Sequence, residues 1–181
     1  MSTVIRLDLM LREAVVTPYR DLVTRPTGAA VRNRVLTELR DAAGNDAQLD
    51  FSEVGLMDFS CADEVIAKLL METLGLPILR VTLCGVTDDH ADAIEQVLAR
   101  YELMLIAVWT RSREPRLLGA APEDWRDAFR ALTELGRAPA APIASALSWS
   151  MSRTVDALQG LARRRCVVAH PDDTFELGAV A

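Results

Sequence analysis

Apolar positions over the first hundred or so residues switch between two periods, and the switching predicts strands and helices in turn. Between Thr3 and Leu9, apolar Val4, Ile5, Leu7 and Leu9 stand among polar neighbours, the spacing of a half-buried strand. A turn-rich stretch through Thr17, Pro18 and Pro26 follows, and then Val31, Val35, Leu36 and Leu39 recur at helical spacing from Thr27 to Ala42, with Gly44 and Asn45 as the stop. AQLDF reads as a strand, SCADEVIAKLLMETLG as a helix, PILRVTLCGV as a strand, DDHADAIEQVLARYE as a helix and LMLIAVW as a strand. Each parallel return needs a crossover, so this order predicts an α/β fold with a mainly parallel sheet.

After Trp109 the pattern changes. The stretch TRSREPRLLGAAPED has no period and carries Pro115, Gly119 and Pro122, so residues 109–121 read as a linker. Beyond it Trp125, Ala128, Phe129, Leu132 and Leu135 give a helix its apolar face, and Gly136 closes it. A short helix from Ala141 to Leu147 and a longer one from Ser150 to Arg163 follow, and RCVVAHPDDTFELGAV ends as a strand, a PDD turn and a second strand. The expected organisation is an α/β domain over 1–108, a linker, and a domain of three helices and a hairpin over 122–181.

Composition agrees with a folded chain, 50% hydrophobic and 25% charged. Arg6, Asp8, Arg12 and Glu13 interrupt the apolar start, and no run of apolar residues is long enough to span a bilayer, so a cytoplasmic protein without membrane contact is expected. From Arg111 onward ten arginines face nine carboxylates, which leaves ten basic against seventeen acidic residues before it. An acidic first part is a poor partner for nucleic acid, so any such role falls to the second. Cys61, Cys84 and Cys166 form no CxxC pair, and His90 and His170, both read as exposed, stand in unrelated contexts, so no metal is expected. Phosphate-binding, dinucleotide-binding and hydrolase motifs are missing as well, which argues against a cofactor and against an enzyme.

Two segments resemble known families. LDFSEVGLMDFSCADEVIAKLL is similar to the central strand, loop and helix of STAS domains, and closer to a STAS-like family with an LDFSGV strand and a SFADE-type helix start. Leu49 to Val54 and Ser60 to Glu64 carry the match, and TRPTGAAVR resembles a second segment of that family through Thr24, Arg25, Gly28 and Arg32. The resemblance implies a partner-binding switch of the anti-sigma-factor antagonist kind, whose partner is an ATPase or kinase-like regulator that phosphorylates the hydroxyl after the motif's Asp. Here Phe59 follows Asp58, and Ser60 is one place late. Ser60 reads as a helix N-cap, with a shifted phosphate acceptor as the alternative. Asp58, Asp63 and Glu64 are candidates for an acidic docking patch at that helix start. Arg25 reads either as a ligand for an anion or partner carboxylate, or as part of a turn before an N-cap Thr27.

The segment from Pro122 to Ala181 resembles bacterial winged-helix regulators, with a line of the form SxSRT opening the third helix. The resemblance puts Met151, Val155, Leu158 and Leu161 in the core, Ser152, Arg153 and Thr154 toward a DNA groove, and Arg163, Arg164 and Arg165 beside the backbone. Asp156, Asp172 and Asp173 stand against that role. The sequence therefore predicts a bacterial-type regulatory protein, with a STAS-like partner-binding domain and a winged-helix output that acts in transcription, as a homodimer because one module gives few base contacts. The alternative is an adaptor or assembly subunit whose winged helix binds no DNA.

Overall fold

The computed structural model describes residues 2–16, 18–41, 46–76 and 80–178. Five strands form one sheet in the order β1-β2-β3-β4-β5: β1 (Ser2–Arg6), β2 (Asp46–Asp50), β3 (Arg80–Val86), β4 (Met104–Trp109) and β5 (Pro115–Gly119). The first four are parallel and β5 returns antiparallel to β4. The mainly parallel α/β fold expected from the sequence is present. Gly44 and Asn45, expected to stop the first long helix, lie outside the described residues.

Three local differences from the sequence reading have physical causes. The first strand ends at Arg6, because Leu7, Met10, Leu11 and Ala14 also fit helical spacing and form α1 (Leu7–Ala14), all but Ala14 of them buried. The second helix, α2 (Arg25–Asp41), starts two residues before Thr27 and holds Pro26 in its first turn, where a missing N–H costs nothing. The segment read as a linker contains β5, whose Leu117 and Leu118 are both buried.

Side chains on the two sheet faces build two cores. Ile5, Leu49, Leu83 and Ala107 line up across the register and pack with α1, α2, the helical stretch 59–73 and α5 (Asp88–Arg100). That stretch runs as α3 (Phe59–Ala62), a π-helical segment (Asp63–Lys68) and α4 (Leu69–Thr73). On the opposite face Met104, Ile106 and Leu117 meet α6 (Glu123–Leu135), α7 (Ala140–Leu147) and α8 (Met151–Arg163). Two-residue β6 (Ala138–Pro139) and the hairpin β7 (Val168–Ala169) and β8 (Thr174–Glu176) form a small antiparallel sheet ordered β6-β8-β7. The C-terminal helices thus sit directly on the sheet, and β4 and β5 belong to both cores. Among the described residues no helix is long and apolar enough to cross a membrane.

At the C-terminal end of β3 the ladder bulges at Gly85, with φ +69°. A Cβ there would lie 2.6 Å from the Ser52 amide nitrogen, so only glycine lets the two strand ends close together.

Candidate functional site

The two segments that resemble the STAS-like family lie far apart in the chain and meet at the mouth of the sheet. Residues 20–24 run beside 55–58 as a short parallel ladder: the Gly55 amide donates to the Arg20 carbonyl (2.8 Å), Leu22 to Leu56 (2.8 Å) and Asp58 to Leu22 (3.0 Å). Leu22 is fully buried and fastens this ladder to the first core. The ladder delivers Thr24, at φ +70°, to Asp58, whose Oδ2 accepts from the Thr24 amide at 3.0 Å.

Asp58, not Ser60, is the N-cap. Its Oδ1 accepts from the Cys61 amide at 2.7 Å and from the Ser60 hydroxyl at 2.9 Å. Burial works against the charged carboxylate, but the donors Cys61, Thr24 and Ser60 outweigh it and hold the Asp58 pKa below its ordinary value. Ser60 lies inside the first turn and orients the cap. A phosphate on its hydroxyl would stand directly against the Asp58 carboxylate.

Behind the cap lies a buried charge network. Asp63 and Glu64 are only 2% and 3% exposed. Arg25 Nη1 donates to Asp63 at 2.6 Å and to Glu64 at 2.8 Å, Arg32 and Lys68 both pair with Glu64, and Arg32 also reaches Glu72 at 3.2 Å. Burial would raise both carboxylate pKa values, yet Arg25 and Tyr101 at Asp63, and Lys68 with Arg25 at Glu64, bring them below the usual range. The hydrogen bonds that Arg25 donates to Asp63 and Glu64 raise its own pKa above the ordinary value. Gly28 makes the approach of α2 possible, since a Cβ there would lie 3.0 Å from both Cys61 Cα and Glu64 Cβ. The carboxylates sit in the π-helical segment, a local irregularity that often marks functional positions. Around this assembly Val23, Leu56 and Phe59 are exposed by 39%, 63% and 40%.

Arg25, Asp58, Ser60, Asp63 and Glu64 are therefore brought together, but the acidic patch expected of Asp63 and Glu64 is not at the surface. Their charge is consumed internally, and the accessible side of the network is the half-exposed Arg25. Lys68 is a member of this network that sequence reasoning misses. It is the single lysine of the chain and stands four residues after Glu64, a spacing that signals pairing on a helix.

The candidates on α8 are dispersed. Thr154 is fully buried and donates to the Ser150 carbonyl at 3.0 Å, which corrects its expected exposure. Met151, expected in the core, is 51% exposed. Ser152 is exposed, whereas Arg153 is held by Asp124 through two hydrogen bonds (2.9 and 2.6 Å) and lies over the Trp149 ring. Arg164 donates to the Glu102 carbonyl of the α/β part at 3.0 Å, and Arg163, Arg164 and Arg165 line a crevice shared with Leu70, Leu74 and Arg80. Asp172 at the β7–β8 turn pairs with Arg137 at 2.7 Å.

His90 also departs from the exposed position expected of it. It is 2% exposed, its Nδ1 accepts from the Thr87 amide at 3.3 Å, and its Nε2 faces the Gly55 carbonyl. That contact joins the start of α5 to the ladder bearing Asp58. Among the described residues no group of three or more His, Cys, Asp or Glu is placed to hold a metal ion. No protein family, no curated protein and no solved structure matches the chain.

Proposed function

We propose that this chain is a non-enzymatic regulatory protein whose first part is a STAS-like module that binds a protein partner. The observation that carries this reading is the convergence of the two resembling segments: Thr24 and Ser60 both donate to Asp58, Arg25 pairs with Asp63 and Glu64, and Val23, Leu56 and Phe59, close by in sequence, are exposed. Exposed apolar side chains beside a fixed cation suit a protein surface, with Phe59 as the aromatic anchor.

The second part is read as a winged helix. The order α6-β6-α7-α8-β7-β8 and the antiparallel β6-β8-β7 sheet support that reading. Its output is protein docking in preference to DNA. Arg153 is engaged by Asp124, Arg164 by Glu102, and the wing tip carries Asp172 and Asp173. The transcription reading keeps Ser152, Arg153 and Arg163 to Arg165 as phosphate or base contacts, supported by their position on and after α8.

Affinity purification of the full chain from its native host, compared with the Phe59→Asp variant, tests the proposal. A protein retained by the parent and lost by a variant of unchanged melting temperature is the expected result. Anisotropy with genomic fragments at about 50 mM salt tests the output, because phosphate-mediated binding is strongest at low salt. No DNA binding is expected, and salt-sensitive binding lost in Arg164→Ala/Arg165→Ala would restore the transcription reading.

A further inference from the structure

β5 is an open edge of the five-stranded sheet, with no strand of the described residues beyond it. Its two faces are covered by different helices. Leu118 packs with Ile94 and Leu98 of α5, and Leu117 packs with Phe129 and Leu132 of α6. The helices thus stand on opposite sides of the edge and enclose a slot of about 840 Å³ with β5 along its floor. A slot bounded in this way admits one extended chain.

Backbone groups of the edge are turned into this slot. The carbonyls of Leu117 and Gly119 each accept from Arg126 at 2.7 Å, and the Gly119 amide donates to Glu95 at 2.6 Å. Residues two apart in a strand address the same neighbour, so the guanidinium and the carboxylate occupy the places of an added strand's amide and carbonyl. The two substitutes reach in from opposite walls, meet at 3.3 Å, and keep 30% and 42% side-chain exposure. Water can therefore take them over when a backbone replaces them.

Charge on the walls is unequal. Asp88, Asp92 and Glu95 follow one another at helical spacing on the α5 wall. Arg116, on the same face of β5 as Leu118, is occupied over the Trp109 ring at 4.9 Å. The α6 wall offers Phe129 beside Leu117 and, in Arg126, Arg130 and Glu134, no excess of negative charge to attract cations.

We propose that this slot binds an extended peptide segment of a partner protein as a further strand of the sheet, with basic side chains toward α5 alternating with apolar ones toward α6. Main-chain pairing with β5 supplies affinity, and the two walls read alternate residues. The proposal uses none of the residues of the Asp58 face and stands independently of it.

The test uses the full chain and four fluorescent heptapeptides read by anisotropy: alternating arginine and valine, the same residues in two blocks, and two versions of the alternating peptide N-methylated at every second amide, one along each edge. The alternating peptide is expected to bind about tenfold more tightly than the block isomer. N-methylation along the edge facing β5 is expected to weaken it by about tenfold, the loss of ladder hydrogen bonds, and along the other edge to leave it unchanged. Asp92→Arg, at an exposed position of α5, is expected to weaken binding several-fold with unchanged melting temperature. No binding of the alternating peptide, equal binding of the block isomer, or indifference to N-methylation on both edges would overturn the proposal, the last two by revealing charge adhesion alone.

Discussion

Arginine meets carboxylate in both halves of the molecule under opposite conditions. Between α2 and the π-helical segment, Asp63 and Glu64 are almost completely buried and each is shared by more than one cation. In the C-terminal part, Arg153 with Asp124 and Arg137 with Asp172 form one-to-one pairs whose members are 44% to 58% exposed. The first arrangement cannot lose a member cheaply, because the remaining charge stays out of water. The second can, because solvent takes over what the partner gives up. The buried network therefore holds two chain segments in a fixed relation, whereas the surface pairs only tie down arginines that would otherwise be free to meet a ligand.

The largest expected effect follows from breaking the buried side of this comparison. Glu64→Ala leaves Arg32 and Lys68 without their shared partner, and denaturant unfolding should show a loss of about 3 to 5 kcal/mol. Gly28→Ala forces α2 away from Cys61 and Glu64 and should cost about 1 to 3 kcal/mol by the same measurement. Removing the cap by Asp58→Ala should cost about 0.5 to 2 kcal/mol, with Ser60→Ala smaller, since the hydroxyl only orients the carboxylate. Arg153→Ala should change stability by less than about 1 kcal/mol, and a larger loss would mean that the two halves differ less than their exposure indicates.

Acid offers a second way to sharpen the contrast. Asp58, Asp63 and Glu64 have folded-state pKa values below their unfolded ones. Their contribution is complete above the unfolded carboxylate range near pH 4 and is lost as pH falls through the lowered folded values. Melting temperature followed downward from about pH 5 should therefore drop, and Glu64→Gln should flatten part of that drop.

Regular elements were legible where a single period held. The strands at 46–50 and 104–109, and the helices α5, α6 and α8, follow the apolar spacing closely. Errors arose where two periods share residues, as at Leu7, or where a strand is short and carries a proline, as in β5. Residues 24–32 and 58–64 each stand out in the sequence, but their contact is not readable there, because it depends on a ladder between loops and on the missing Cβ of Gly28. Serine suits the cap role and Ser60 reads as the cap, while Asp58 suits it equally and stands at the actual boundary. Exposure of the α8 residues failed for another reason: Thr154 faces inward because the helix is rotated so that Met151 is outside.

Arg80, at the first position of β3, is 4% exposed, and its guanidinium joins Asp46 of β2 to the carbonyl of Leu177 across 97 positions of sequence. During synthesis the Arg80 guanidinium, already paired with Asp46, thus lacks its backbone acceptor until Leu177 has emerged. Vectorial folding can order the sheet early, yet this corner stays provisional until the segment after β8 arrives. The Arg80–Leu177 contact, once made, is then a report, delivered at the start of β3, that the C-terminal helices have already taken their place.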